Sequence, residues 1–229
     1  MTTIPIPGGF FIVIEGIDGA GKSSHARRLV ALLRALGFEV VGSREPTMGP
    51  YGRRLRQSMQ TGRLAPEEEH RLLLLDRREH LETLVRPALA RGAVVILDRY
   101  YHSSVAYQGA AGLDPARVRA DNEAFADRPH LLLLLDLDID TALERIGARG
   151  DTPDAFESRR TLAHCRETYF DFAALPEARL VDARGAIESV GAAVDAQALR
   201  VLYRHAPQAF KAALDRSRGW PPQADRGEM

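Results

Sequence analysis

Apolar residues along this chain fall into two alternating patterns. Short unbroken runs at 10–14 (FFIVI), 93–97 (AVVIL) and 131–135 (five leucines) predict strands buried on both faces. Between them, apolar positions recur every three or four residues, as at Leu29, Leu32, Leu33 and Leu36, until Gly37 supplies a helix stop. The same reading predicts strands at 38–42 and 179–181. Helices are predicted at about 52–60, 66–91, up to 108, 114–125, 139–148, 156–172 and 186–202. The 66–91 helix opens on Pro66 and three glutamates, which suit the positive end of a helix, and is expected to be kinked or interrupted near Pro87, which lacks an N–H. Strands alternating with helices imply an α/β fold, a parallel sheet with helices on both faces. With no repeat or linker, the chain reads as one domain, 1–229. Its core spans about 10–203, an inserted lid about 145–160, and a C-terminal tail about 205–229 that is expected to be partly disordered.

Composition narrows the function classes. The 31 basic and 31 acidic residues cancel, which argues against bulk attraction to nucleic acid or to an anionic membrane. A single cysteine, Cys165, excludes an internal disulfide framework and suits a reducing, cytoplasmic setting. No apolar run approaches the ~20 residues a membrane span needs, and residues 1–9 lack the features of a signal peptide.

The decisive motif follows the first strand. Gly16-Ile17-Asp18-Gly19-Ala20-Gly21-Lys22-Ser23-Ser24 fits the spacing G-x-x-x-x-G-K-[ST] and lies between a predicted strand and a predicted helix. Glycines let successive backbone N–H groups turn inward as an anion nest at a helix N-terminus. Lys22 can reach β- and γ-phosphates, and the Ser23 hydroxyl can ligate Mg²⁺. A dinucleotide-binding loop needs a different glycine spacing and has no use for the Lys-Ser pair. The reading is a nucleoside-triphosphate site.

Further features bear on which phosphate chemistry this is. Asp98-Arg99-Tyr100 directly follows a buried strand, where Asp98 can support Mg²⁺ and Arg99 can face a phosphate, although an ordinary strand-end acid would look the same. Arg145, Arg149, Arg159, Arg160 and Arg166 cluster around the proposed lid, and arginines brought over a transferring phosphoryl group stabilise its charge. Asp136, Asp138 and Asp140 read better as helix caps and strand-end acids than as a metal cluster. The GTPase tetrapeptide N-K-x-D is absent, since the only asparagine, Asn122, precedes Glu123. The histidines, His102 included, read as packing or surface residues.

Taken in order, Glu15 to Ser24, Arg44-Glu45-Pro46, Arg77, Asp98-Arg99-Tyr100, Ser103 to Gly109 and the arginine-rich lid resemble the thymidylate kinase family over about 10–190. The resemblance implies the P-loop nucleoside-monophosphate-kinase fold, transfer of phosphate from ATP to dTMP with Mg²⁺, and a homodimer. It places Gly16 through Ser24, Arg145 and Ala183 against ATP, and Ser23 and Asp98 at the metal. Asp18, Glu45, Leu73, Arg77, Arg99, Ser104 and Tyr107 fall to the acceptor. Asp18 would lie near the sugar 3′-hydroxyl, Arg99 on the acceptor phosphate, Arg77 on the pyrimidine and Tyr107 against the sugar 2′ position. Lys22, Asp18, Arg99 and Arg149 would carry catalysis. Leu73 stands where the family commonly stacks a phenylalanine on the base, and the 47–53 loop departs from the common G-G-T form, leaving the role of Arg53 open. The alternatives are a sister nucleoside-monophosphate or deoxynucleoside kinase, and a non-catalytic nucleotide-binding regulator.

Overall fold

The structure of the chain, a computed structural model, describes residues 3–148 and 158–218. Five strands form one parallel sheet: β1 (Phe10–Gly16), β2 (Val40–Arg44), β3 (Val94–Asp98), β4 (Leu131–Asp136) and β5 (Ala178–Asp182), in the order β2-β3-β1-β4-β5. β1, β3 and β4 are buried almost throughout, as expected for strands covered on both faces. Helices α1 (Lys22–Ala35) and α9 (Ile187–His205) cover one face. Helices α4 (Arg86–Ala90), α5 (Tyr101–Ala110) and α8 (Arg159–Phe172) cover the other.

The register brings the carboxyl ends of the strands to one rim, with Ile14 beside Asp98, Gly16 beside Leu135 and Arg44 beside Asp98. From β1 the chain departs into α1 on one face, and from β3 into α5 on the other. That divergence opens a crevice between neighbouring strands, where ligands of such sheets bind.

Four local departures from the sequence reading have identifiable causes. β2 begins at Val40, because the Phe38 amide donates to Leu33 O (3.2 Å) and closes the end of α1 instead of joining the ladder. The interruption expected near Pro87 lies just upstream of it. A π turn, Leu81–Val85, separates α3 (Pro66–His80) from α4, with the Arg86 amide donating to Leu81 O. Pro87 has no N–H for the carbonyl one turn earlier, so the ladder is rearranged upstream and the helix continues. Within the expected tail a further helix forms: α10 (Pro207–Arg218) packs against α9, burying Ala213 and setting Phe210 edge-on to Tyr203. The core also reaches earlier than residue 10, since Ile4 and Ile6 are buried and Ile4 bridges to Phe38.

Between α7 (Ile139–Gly147) and α8, the central part of the expected lid, including Arg149, lies outside the described residues. Asp138 caps α7, accepting from the Thr141 amide at 2.9 Å. Asp136 binds Arg166 and Asp140 binds Arg159. No metal-binding group of three His, Cys, Asp or Glu occurs among the described residues, nor any helix long and apolar enough to cross a membrane.

Candidate active site

The phosphate loop closes on β1 through glycines that no other residue could replace cheaply. Gly16 has φ 142°, and a Cβ there would sit 2.5 Å from Leu135 O. Gly21, left-handed at φ 86°, is the N-cap of α1, and no side chain caps the first turn of that helix. Those amides therefore face the cavity at the positive end of the helix.

Lys22 is 6% exposed, donates to Ile17 O at 2.9 Å and lies 3.7 Å from Asp18. Burial, reinforced by the charge of Arg99, lowers its pKa. Ser23 donates to Asp98 Oδ2 across the crevice, while Asp98 Oδ1 is buried without a hydrogen-bond partner among the described residues. A hydroxyl and a carboxylate with an unsatisfied oxygen form a hard-oxygen donor set that fits Mg²⁺.

Arg99 has φ 72°, the only positive φ at a non-glycine position among the described residues. This turn carries its guanidinium back over the loop, where it pairs with Asp18 and lies over the Tyr107 ring, 5.2 Å from the centroid. Burial works against the Arg99 charge, but Asp18, Tyr107 and Tyr169 outweigh it and hold the pKa well above the usual arginine range. Tyr107 donates to Asp18 Oδ2 at 2.8 Å. Burial, then the Asp18 charge, raises its pKa well above that of an ordinary phenol.

The opposite wall comes from α3. Glu69, Leu73 and Arg77 succeed one another at four-residue intervals, so they form a stripe down one helix face. Arg77 is 1% exposed. Its Nε and Nη2 lie 2.8 and 2.7 Å from Glu45 Oε2, Nη1 donates to Asn122 Oδ1, and Nη2 reaches Ser104 Oγ at 3.1 Å. His80 Nδ1 lies 3.1 Å from Glu45 Oε1, and its Nε2 lies 2.9 Å from Ser43 Oγ. The two walls enclose a cavity of about 550 Å³, a size suited to small ligands. At the far rim Arg145 donates to Ala183 O (3.0 Å) and approaches the carbonyls of Arg184 and Gly185, fixing the turn after β5.

The family model for thymidylate kinase matches residues 14–194. The chain is 57% identical over 184 residues to the thymidylate kinase of Xanthomonas euvesicatoria pv. vesicatoria (strain 85-10), 80% of each chain. The chain belongs to the thymidylate kinase family. The thymidylate kinase of Xanthomonas campestris pv. campestris (strain B100) is 55% identical over 190 residues, 83% of each. That of Xylella fastidiosa (strain M12) is 51% identical over 197 residues, 86% of this chain and 90% of that protein.

Most of the site residues expected from the sequence come together in one cavity. Asp18, Gly19, Gly21, Lys22, Ser23, Ser24, Glu45, Leu73, Arg77, Asp98, Arg99, Ser104, Tyr107 and Arg145 line it together. Arg159 and Arg166, expected over the phosphates, are instead tied to Asp140 and Asp136 and do not line the cavity. Arg53 is exposed and donates to Met48 O (2.7 Å). The arginine of α2 (Pro50–Thr61) that reaches the cavity is Arg56, held by the carbonyls of Pro46 and Thr47. Its spacing of four from Gly52, which lies against the Thr47 backbone, was the available signal. Arg63, paired with Glu69, and buried Gln108 were also missed, as was Asn122, which no sequence period links to Arg77.

Proposed function

We propose that this chain transfers the γ-phosphoryl group of ATP to the 5′-phosphate of dTMP, forming dTDP and ADP. The observation that carries this is the two-walled cavity. Lys22, the Ser23–Asp98 pair and the Arg99–Asp18 contact line the same cavity as Leu73, Arg77 and Ser104. The α1 amides and Lys22 would hold the β- and γ-phosphates, and Ala183, with Arg145 behind it, would flank the adenine. Ser23 and Asp98 would hold Mg²⁺, which when bound neutralises charge on the ATP phosphates.

On the acceptor side, Arg99 would grip the dTMP phosphate, with Asp18 near the 3′-hydroxyl. Arg77 and Ser104 would face the pyrimidine edge, Leu73 its face, and Tyr107 the sugar 2′ position. A phosphate oxygen of dTMP attacks the γ-phosphorus, and the bond to the β-phosphate oxygen breaks. The acceptor is already anionic, so no strong base is needed, and positioning and charge neutralisation dominate. Arg149 is assigned to the transferring group by the family resemblance. We also place the protein in the cytoplasm as a homodimer, an assignment that sedimentation velocity tests for the dimer.

The test is an acceptor panel of dTMP, dUMP, dGMP, CMP and thymidine with ATP and Mg²⁺, followed by ADP release. Preferred turnover of dTMP is expected. Absence of dTMP phosphorylation alongside robust turnover of another acceptor would reassign the enzyme to a sister kinase.

A further inference from the structure

Glu15, the penultimate residue of β1, is completely buried in an otherwise apolar strand. Each of its hydrogen-bond partners donates to it. Oε1 accepts from the amides of Tyr100 (2.8 Å) and Ser103 (3.0 Å), and Oε2 from the hydroxyls of Ser103 (2.6 Å) and Tyr169 (3.0 Å). The Ser103 amide is the third of α5, whose N-cap residue, Tyr100, contributes no side-chain cap. Glu15 therefore caps that helix from a distant strand. The amides on either side of the left-handed Arg99 residue are both anchored to β1: Arg99 N to Ile14 O (3.1 Å) and Tyr100 N to Glu15. Ser103 Oγ, in turn, accepts from Arg99 Nη1 at 3.2 Å.

We propose that Glu15 is a positioning residue for the acceptor phosphate, taking the Ser103 hydroxyl proton so that the Ser103 oxygen faces Arg99 as an acceptor. A serine hydroxyl has one proton to give. While that proton points at the carboxylate, the lone pairs are left for the guanidinium, and Arg99 is held at two points, Ser103 and Asp18. The inference rests on the assignment of Arg99 to dTMP.

Glu15→Gln separates this polarity from mere shape. The amide must turn its oxygen toward the Tyr100 and Ser103 N–H groups, because two donors cannot face its NH2. That NH2 then donates to Ser103 Oγ and takes one of its two lone pairs, the Ser103 proton turns to Tyr169 Oη 3.0 Å away, and Arg99 keeps only an acceptor that no longer donates to a carboxylate and is correspondingly weaker. Calorimetric titration without turnover reads the result directly. E15Q should weaken dTMP binding about 10-fold or more, the scale of one lost charge-assisted hydrogen bond, and leave ATP binding within about twofold.

Ser103→Ala should do the same, and the double variant should be no worse than E15Q alone, since both act through one bond. Tyr169→Phe removes a second hydroxyl from the same carboxylate, one that also lies 3.0 Å from Ser103 Oγ, and should weaken dTMP binding less than E15Q does. Should E15Q not fold, Glu15→Asp, which keeps the charge but withdraws it by one methylene, must show the same dTMP-selective loss. Unchanged dTMP affinity in E15Q and S103A, equal losses for ATP and dTMP, or multiplicative losses in the double variant would overturn the inference. Wild-type protein that binds no dTMP would instead overturn the proposed function.

Discussion

Replacing Arg77 by methionine should be among the most damaging single changes outside the main core, because of what it leaves behind. Arg77 and Glu45 are 1% and 4% exposed, and the guanidinium meets the carboxylate through two nitrogens. Methionine fills most of the volume, so the loss is electrostatic: the Glu45 carboxyl group stays buried, with His80 as its remaining side-chain partner. Breaking a buried pair from one side costs about 3–5 kcal/mol, whereas replacing both partners by apolar groups is often close to neutral. Arg77→Met should therefore lose ~3–4 kcal/mol in urea unfolding, and Glu45→Leu a comparable amount. The double variant should lose less than either, a coupling of at least ~2 kcal/mol. For a chain of this size that corresponds to a Tm drop of about 10 °C in the single variants. Arg77 is assigned to the acceptor, so KM for ATP should hold while KM for dTMP rises. A loss under ~1 kcal/mol for Arg77→Met, or a double variant showing the sum of the singles, would mean that the network is not held by this pair.

Other perturbations act on separate parts of the cavity. Lys22→Ala removes a buried cation from the phosphate loop and should lower kcat ~10²–10³-fold with the unfolding midpoint little changed; near-normal kcat would take Lys22 out of the reaction. Asp98→Asn withdraws the charge opposite Ser23 and should raise the Mg²⁺ concentration needed for half-maximal rate at least ~10-fold, measured by Mg²⁺ titration at saturating ATP. Leu73→Phe should lower KM for dTMP about 2–10-fold through stacking on the base, and an increase would place the base elsewhere. Burial lowers the pKa of both His25 and His102, aided by neighbouring arginines. The unfolded state then binds protons first, so stability is intact above about pH 6.5 and falls as pH drops below it, by up to ~1.4 kcal/mol per pH unit per histidine. His102 stacks on Tyr101 and meets Phe172 edge-on, with neither ring nitrogen hydrogen-bonded among the described residues, so His102→Phe should flatten that decline between pH 7.5 and 5.5.

The parts of this molecule that were legible in the sequence are those governed by local rules. The phosphate loop needs its glycines within one turn, Asp138 caps the helix that starts next to it, and the three buried runs became β1, β3 and β4. What was not legible depends on residues far apart in sequence. Glu45, Arg77, Ser104 and Asn122 meet only because β2, α3, α5 and α6 (Pro115–Glu123) converge, and nothing at position 122 announces a partner for Arg77. The same applies to the lid arginines. Periodicity could put Arg159 and Arg166 on a helix, but whether they face the cavity or the acids at 140 and 136 is decided by how α8 packs. Arg99 is the extreme case, since a left-handed arginine contradicts its own conformational preference and is held by β1.

The two walls of the cavity meet opposite physical demands with the same residue type. Arg77 has every nitrogen engaged by a buried protein acceptor, so its direction is set before any ligand arrives, as discrimination between bases of similar shape requires. Its contribution is rigidity, and its charge is already neutralised by Glu45. Arg99 and Lys22 instead share the partly exposed Asp18, with Asp98 and the buried Glu15 close by. Arg27, Arg44 and Arg56 also line the cavity and add positive charge to it, although the whole chain is neutral. A phosphate entering there would gain from those additional cations, whereas a neutral sugar would not. On the proposed assignment, selectivity for a phosphorylated acceptor would come from the extra arginines lining the cavity, and selectivity for its base from the charge-balanced Arg77–Glu45 pair.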